Sequence, residues 1–337
     1  MRRGKPPAHA LERLLAATPP ASGAIVMGTG IVSIDLSLDG QETISRVLLI
    51  IAAVIWAALA VLLPARAARD RARFRADVRT PAALTSVAGT AVLGTRLTVL
   101  RWDWAGVALL AIALVLWLAL LAPVLRNWVT PTVGSSLMLT VSTESLAVLA
   151  ATLAAREDAP WLLYASAAPF LLGLAFYAFA IRRFDLRQLG VGRGDHWITG
   201  GALAISTLAA GRITLAAESL HTLSGIIETL KVTSLALWAL TIAWLPVLLA
   251  AELLRPRLRY DVRRWSTVFP VGMYAACSFV VGAAARAPGV ADFARIWVWA
   301  GVAVWLSVFL AMLARGRQLV RWQDPAFAEQ TAGSSDA

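Results

Sequence analysis

The sequence has few of the side chains that enzymes commonly use for chemistry. It contains one cysteine, three histidines and only 15% charged residues among 337. The single Cys277 excludes an internal disulfide. The histidines stand far apart, at positions 9, 196 and 221, and neither a His-Glu-x-x-His helix nor a glycine-rich phosphate loop is present in the sequence. We therefore predict no enzyme active site, no metal site and no bound cofactor.

Apolar length is what the sequence has in excess. Hydrophobic residues make up 59% of the chain, and the mean hydropathy is +0.70, more than a soluble domain of this size could bury. The run "VLLIIAAVIWAALAVLL", from Val47 to Leu63, contains no polar side chain, and the run from Trp104 to Leu125 is longer still. Each is close to the roughly 20 residues that a helix needs to cross a bilayer. The sequence predicts an all-α integral membrane protein.

Ten apolar windows divide the chain into a membrane domain, residues 22–314, an N-terminal segment, residues 1–21, and a C-terminal tail, residues 315–337. The windows are 22–38, 46–64, 82–100, 104–125, 132–154, 160–181, 197–215, 232–250, 266–285 and 296–314. Within the N-terminal segment, Ala10–Ala17 is predicted to form a short helix at the membrane surface. We expect the ten windows to pair as five helical hairpins.

Positive charge is concentrated on one side of the predicted membrane domain. The net charge is +11, and the loops after the second, sixth and eighth windows read "PARAARDRARFRADVRT", "RRFDLRQLGVGRGD" and "ELLRPRLRYDVRR". Loops after odd windows, such as "AREDAP", are short and nearly balanced in charge. The positive-inside rule places the arginine-rich loops and both termini in the cytoplasm. We therefore expect a multi-pass protein of the cytoplasmic membrane that binds lipid rather than nucleic acid.

Glycine and hydroxyl groups mark the five odd-numbered windows. The windows contain "GTGIVS", "TSVAGTAVLGTRLT", "VGSSLMLTVSTES", "ITGGALAISTLAAGR" and "STVFPVGMYAACS". Small and hydroxylated residues commonly serve close packing of membrane helices. The presence of hydroxyl residues in all five odd windows, and their absence from the second and fourth, favours an inner ring of odd helices around a pathway. Thr29, Thr90, Ser142 and Ser206 are candidate lining residues.

Among the charged residues within the predicted spans, which include Asp35 in the first window, three are candidates for a functional role. Arg96 and Arg212 share a similar depth near the outer ends of the third and seventh windows. They either extend to the lipid headgroups or form an outer vestibule that attracts anions. Glu144 lies near the middle of the fifth window, where an ionised side chain costs about 2.5–3.5 kcal/mol. The first interpretation is an ion pair with Arg96 or Arg212; the second is a protonated carboxyl group, hydrogen-bonded to neighbouring hydroxyls, that couples transport to protons.

The ninth window carries the most specific motif. The stretch "RRWSTVFPVGMY" (Arg263–Tyr274), together with "SGAIVMGTGIVSI" (Ser22–Ile34), resembles the tellurite-resistance/C4-dicarboxylate transporter family, which includes the plant slow-type anion channels and the fungal malate permease. The resemblance implies five helical hairpins around a central pore, odd helices inside, and a homotrimer with one pore per subunit. It also implies that Phe269 occludes the pore, next to a helix kink at Pro270.

The resemblance implies transport of small anions, with C4-dicarboxylates such as malate or succinate as a substrate class. Two departures from the family pattern leave the mode of transport open. "RRW" stands where relatives often have paired tryptophans, and Glu144 adds charge that a passive pore does not require. The alternatives are a proton-coupled carrier of dicarboxylates, or of sulfite- or tellurite-type oxyanions, that uses Glu144, and a membrane scaffold or enzyme that transports nothing.

Overall fold

A computed structural model describes residues 19–191, 194–256 and 260–321. The described residues form ten long helices and no strand. The helices are α1 (Gly23–Leu38), α2 (Glu42–Arg69), α3 (Thr85–Val99), α4 (Asp103–Arg126), α5 (Met138–Arg156), α6 (Pro160–Ile181), α7 (Trp197–Ser219), α8 (Ile227–Leu254), α9 (Trp265–Ala284) and α10 (Pro288–Arg321). Each predicted window falls on one of them, which confirms the all-α membrane fold. The predicted surface helix Ala10–Ala17 and most of the C-terminal tail lie outside the described residues.

Helices α2, α8 and α10 are longer than their apolar windows predict, whereas α6 coincides with its window. Helix α2 continues to Arg69, five residues past the end of its window, and α10 begins at Pro288, eight residues before its window. At about 1.5 Å per residue, the 28 residues of α2 reach across the headgroup regions as well as the hydrocarbon core. An apolar window detects the hydrocarbon-crossing part alone. Polar turns extend the helix beyond it.

The odd-numbered helices form a closed ring inside the described part of the protein. Each packs against two odd neighbours, in the order α1, α3, α5, α7, α9 and back to α1. In the most apolar 18 residues of α3, α5, α7 and α9, counted with their leading turns, 78% to 100% of residues are buried; in the even helices the share is 17% to 22%. The predicted division into an inner odd set and an outer even set is therefore confirmed.

Each even helix packs against the odd helix of its own hairpin and against the odd helix of the next hairpin. Helix α2 contacts α3, α4 contacts α5, α6 contacts α7, α8 contacts α9, and α10 contacts α1. At four of these five junctions an indole N–H of the even helix donates a hydrogen bond to a hydroxyl of the odd helix. The pairs are Trp56–Thr90 (2.9 Å), Trp117–Thr143 (2.9 Å), Trp238–Ser278 (2.8 Å) and Trp305–Thr29 (3.0 Å).

Glycines let neighbouring ring helices approach through their backbones. A Cβ atom built on Gly23 of α1 would lie 2.6 Å from the carbonyl carbon of Thr85 on α3. One built on Gly201 of α7 would lie 2.8 Å from the ring of Pro270 on α9. Real Cβ atoms do not come so close, so a larger residue at either position would push two ring helices apart.

Loss of one indole hydrogen bond should loosen one hairpin junction. We expect Trp117→Phe to lower the stability of the protein by about 0.5–1.5 kcal/mol, because the phenyl ring keeps most of the contact area and cannot donate to Thr143. Thermal unfolding in detergent measures the change. Trp104→Phe, on the same helix, is the control, since Trp104 is 76% exposed. Equal destabilisation by the two variants would contradict a role for the hydrogen bond.

Candidate functional site

The five odd helices begin around one cavity of about 340 Å³, which we call the vestibule. Every odd helix contributes side chains from its first turns or from the short turn that precedes it. The lining includes Ala24 and Met27 at the start of α1, Ala82 and Thr85 at α3, Ser135 and Met138 at α5, Asp195 and Ile198 at α7, and Ser266 and Phe269 at α9. The vestibule is therefore the mouth of the ring.

The arrangement of the helix ends favours negative charge in the vestibule. The first turn of a helix carries the positive end of the helix dipole, about half an elementary charge. Five such ends surround this cavity, and the side chain of Arg263 also lines it. Asp195 is the one acidic residue among the described lining residues. A small anion would meet backbone dipoles, hydroxyl groups and one arginine here.

Phe269 stands in the vestibule wall, one turn into α9. Its side chain is 3% exposed, and it lines the cavity together with Met27, Met138 and Ile198 from three other ring helices. The next residue, Pro270, has no amide hydrogen, so the carbonyl group of Ser266 loses its usual helical donor. Because Ser266 also lines the vestibule, a backbone acceptor and an aromatic ring lie close together at this point of the ring.

The structure places the candidate hydroxyl residues away from the vestibule. Thr29 and Thr90 receive indole hydrogen bonds from outer helices, and Ser206 donates to Glu144 at 2.9 Å. Ser142 bonds to its own helix at the carbonyl oxygen of Leu139. None of the four is among the described residues that line the vestibule. The observed contacts of Thr29, Thr90 and Ser206 join helices.

Apart from Phe269 and Pro270, sequence reasoning missed the residues that line the vestibule. Met27, Met138 and Ser266 lie within the first turns of their helices, next to the polar motifs that attracted attention. The sequence could have indicated one of them. Met138 precedes the candidate Ser142 by four residues, and residues four apart share one face of a helix. On that register Ser142 lies on the vestibule-facing side of α5, one turn further into the ring.

Arg96 is buried and paired. Its Nη2 donates to Oε2 of Glu42 at 2.8 Å, and its Nε donates to Oγ of Ser45 at 3.0 Å. Ser45 in turn shares hydrogen bonds with Ser33 of α1. The side chain, 0% exposed, therefore does not extend to the headgroups; it ties α3 to the start of α2 and to α1. Arg212 is half-buried on α7, and its Nε has no hydrogen-bond partner among the described residues.

Glu144 is fully buried between α5, α6 and α7. Its Oε1 accepts the hydrogen bond from Ser206, and its Oε2 has no partner in the described part of the chain. A Cβ atom on Gly173 of α6 would lie 2.5 Å from Cγ of Glu144, so the missing side chain makes room for the carboxyl group. The predicted ion pair with Arg96 or Arg212 is wrong, because neither carboxylate oxygen of Glu144 contacts an arginine among the described residues, and the carboxylate partner of Arg96 is on α2.

Comparison with known proteins agrees with this geometry. Residues 17–313 match the family model described as "Voltage-dependent anion channel". The chain belongs to this family. The resemblance predicted from the first and ninth windows is thereby confirmed: the chain is a multi-pass membrane protein of the voltage-dependent anion channel family.

Two curated relatives are uncharacterised membrane proteins of Mycobacterium tuberculosis, one from strain CDC 1551 and one from strain H37Rv. Each is 34% identical to this chain over 125 residues, which is 35% of this chain and 62% of the relative. The chain thus spans less than two thirds of the length of these relatives. They support membrane location and add no substrate.

The close contact at Gly173 can be tested by crowding it. We expect Gly173→Ala to destabilise the protein by about 1–3 kcal/mol, because the added methyl group would overlap Glu144. In the Glu144→Ala background the same change should cost much less. Thermal unfolding in detergent measures both. Gly289→Ala is the matched control, since a Cβ atom there meets nothing within 4 Å; an equal cost in both backgrounds would refute the contact.

Proposed function

We propose that the protein conducts small anions along the axis of the odd-helix ring and that Phe269 is the gate. One observation carries the proposal: Phe269 lines the vestibule at which the N-terminal ends of all five ring helices converge. An aromatic side chain at the mouth of a ring is placed to block a file of ions. The positive helix ends around it are placed to draw anions in.

The size and lining of the vestibule support a small substrate. Its volume of about 340 Å³ is near the lower limit of small-molecule pockets, which run from about 300 to 1,000 Å³. The hydroxyl groups of Ser135 and Ser266 can replace part of the hydration shell of an anion, and Arg263 can offset its charge. C4-dicarboxylates such as malate or succinate are the substrate class we propose, and sulfite-like oxyanions have the same requirements.

The gate would work by excluding water from the narrow part of the pathway. Phe269 and the neighbouring Met27 and Met138 offer no hydrogen bond to a hydrated anion, and apolar constrictions of this kind close by dewetting. Opening then requires the phenyl ring to turn aside. The two methionines are flexible and can repack around the displaced ring. We further propose that the protein is a homotrimer of the cytoplasmic membrane with both termini inside.

Removal of the ring should open the pathway. We expect Phe269→Ala to raise anion flux in proteoliposomes on the order of tenfold, the factor that corresponds to a barrier lowered by about 1.4 kcal/mol. Chloride, nitrate, sulfite, malate and succinate are assayed in parallel, so that the same measurement ranks the substrates.

Phe170→Ala is the control for this experiment. Phe170 is a buried phenylalanine of similar size on the outer helix α6, 8% exposed, and its loss should leave flux unchanged per folded molecule. Folding of each variant is checked by size-exclusion chromatography before reconstitution. Wild-type flux through a folded Phe269→Ala variant would exclude the gate.

Proton-coupled carriage is the second candidate function, and the position of Glu144 favours it. The carboxyl group is fully buried, has one hydroxyl donor, and lies between a ring helix and an outer helix. A carboxyl group in such a setting can bind and release a proton as neighbouring helices move. Helix α5, which carries it, supplies Met138 to the vestibule, and the turn before this helix supplies Ser135.

Exchange of the titratable group separates the two modes. Glu144→Gln keeps the shape and the acceptor for Ser206 and removes the exchangeable proton. If the protein is proton-coupled, uptake driven by a pH gradient should be lost while anion exchange at equal pH persists. Glu157→Gln, at the exposed end of the same helix, is the control. Undiminished gradient-driven uptake in Glu144→Gln would rule out coupling at this residue.

A further inference from the structure

A second cavity of about 340 Å³ lies outside the ring, between α2, α3 and α4. We call it the α2–α4 cavity. Its walls are formed by Leu59 and Leu63 of α2 and by Ile112, Leu116 and Leu120 of α4. The polar lining groups at its inner end, Trp56 and Thr90, are bonded to each other. Such a space at membrane depth suits hydrocarbon and not water.

The cavity opens towards the lipid. Helices α2 and α4 are outer helices, and Ile112, at the edge of the cavity, is 40% exposed. The depth of the cavity nevertheless reaches the ring, because Val26 of α1 and Gly89 of α3 form part of its lining. An elongated apolar ligand could therefore enter from the bilayer and end against two ring helices.

One end of the cavity is covered by a short helix with a strongly basic surface. This helix, Arg71–Asp77, follows α2, and its residues Phe74 and Asp77 line the cavity. Asp77 is paired with Arg66 of α2. Arg71, Arg73 and Arg75 are exposed on the same helix, and on a helical register they flank the cavity-facing side from both directions.

The combination of an apolar slot and a cationic rim defines the ligand. A neutral lipid would use the slot alone, whereas an anionic phospholipid would also place its phosphate beside guanidinium groups, which bind phosphate through paired donors. Arginines near a membrane surface attract anionic lipid even without direct contact. We propose that the α2–α4 cavity is a binding site for one anionic phospholipid, with an acyl chain in the slot and the headgroup at Arg71, Arg73 and Arg75.

A lipid in this site would support the vestibule from behind. Ala82 and Thr85 line the vestibule, and the adjacent Ala83 and Ser86 line the α2–α4 cavity. The turns at the start of α3 thus contact the vestibule on one side and the α2–α4 cavity on the other. A seated acyl chain would pack against the back of the wall that an anion meets from the front.

Lipid retention by the purified full-length protein tests the site. The probes are phosphatidylglycerol and phosphatidylcholine with identical acyl chains, and bound lipid is counted by native mass spectrometry. We expect one tightly held phosphatidylglycerol, bound at least about tenfold more tightly than phosphatidylcholine. Because the measurement needs no anion gradient, its result is independent of the proposed transport function. Equal retention of the two lipids would overturn the proposal.

Two variants assign the binding to this cavity. Arg71→Gln/Arg73→Gln/Arg75→Gln should abolish the preference for phosphatidylglycerol. Leu116→Trp should fill the slot and release both lipids. The corresponding controls are Arg126→Gln/Arg182→Gln/Arg187→Gln, three exposed arginines at the same end of the bundle, and Leu118→Trp, whose position on α4 is 60% exposed to lipid.

All variants are compared after size-exclusion chromatography and thermal unfolding, so that only folded protein is scored. If only one of the two test variants folds, that variant and its control are sufficient to test the site. Loss of retention in a test variant with normal retention in its control supports the site. Unchanged retention in the test variant, or an equal loss in its control, refutes it.

Discussion

Closure of the odd-helix ring is the constraint on which the rest of the structure depends. Each ring helix is held by two ring neighbours and by outer helices, so only a narrow face is left for a pathway. Backbone contacts at glycines such as Gly23 and Gly201 set the distance between neighbours. With that distance fixed, the helix starts converge closely enough to enclose a vestibule, and Phe269 forms part of its wall.

The order of the helices and their division into inner and outer sets follow from the sequence, and the rotation of each helix does not. The windows and loops are predicted from hydropathy and arginine content, and both can be calculated from a short stretch of the sequence. The ring helices are buried almost all round, so they have no polar face that would reveal their orientation. Thr29 and Thr90 are therefore predicted to line the pathway, although their hydroxyl groups accept hydrogen bonds from tryptophans of outer helices.

Glu144 shows a second limit of sequence reasoning. An unpaired carboxyl group in a membrane span suggests an ion pair, and two arginines of suitable depth were available. The space that the side chain occupies is created by Gly173, on a different helix, and its only hydrogen-bond donor among the described residues is Ser206. No sequence pattern predicts either contact, because the residues lie on different helices. Where side chains come from three helices, the partner is known only after packing is known.

Four of the five hairpin junctions share one plan, and one of these four departs from it. Four ring residues lie nine positions after the first residue of their helix or its leading turn: Thr29, Thr90, Thr143 and Ser206. The first three accept an indole hydrogen bond. In the described part of the chain, no tryptophan of α6 bonds to Ser206. Ser206 instead donates a hydrogen bond to the carboxyl group of Glu144, which lies against Gly173 of α6. The junction that differs in chemistry is thus also the one that carries a titratable group.

The buried contacts of Arg96 also bear on how the protein is made. Helix α3 carries a guanidinium group whose partners, Glu42 and Ser45, belong to α2, and Ser45 is fixed by Ser33 of α1. An arginine without these partners is costly within a bilayer. These partners all precede Arg96 in the chain, so the first hairpin is synthesised before the guanidinium group that it pairs. The order in which the chain is synthesised supplies the counter-charge before the charge that needs it.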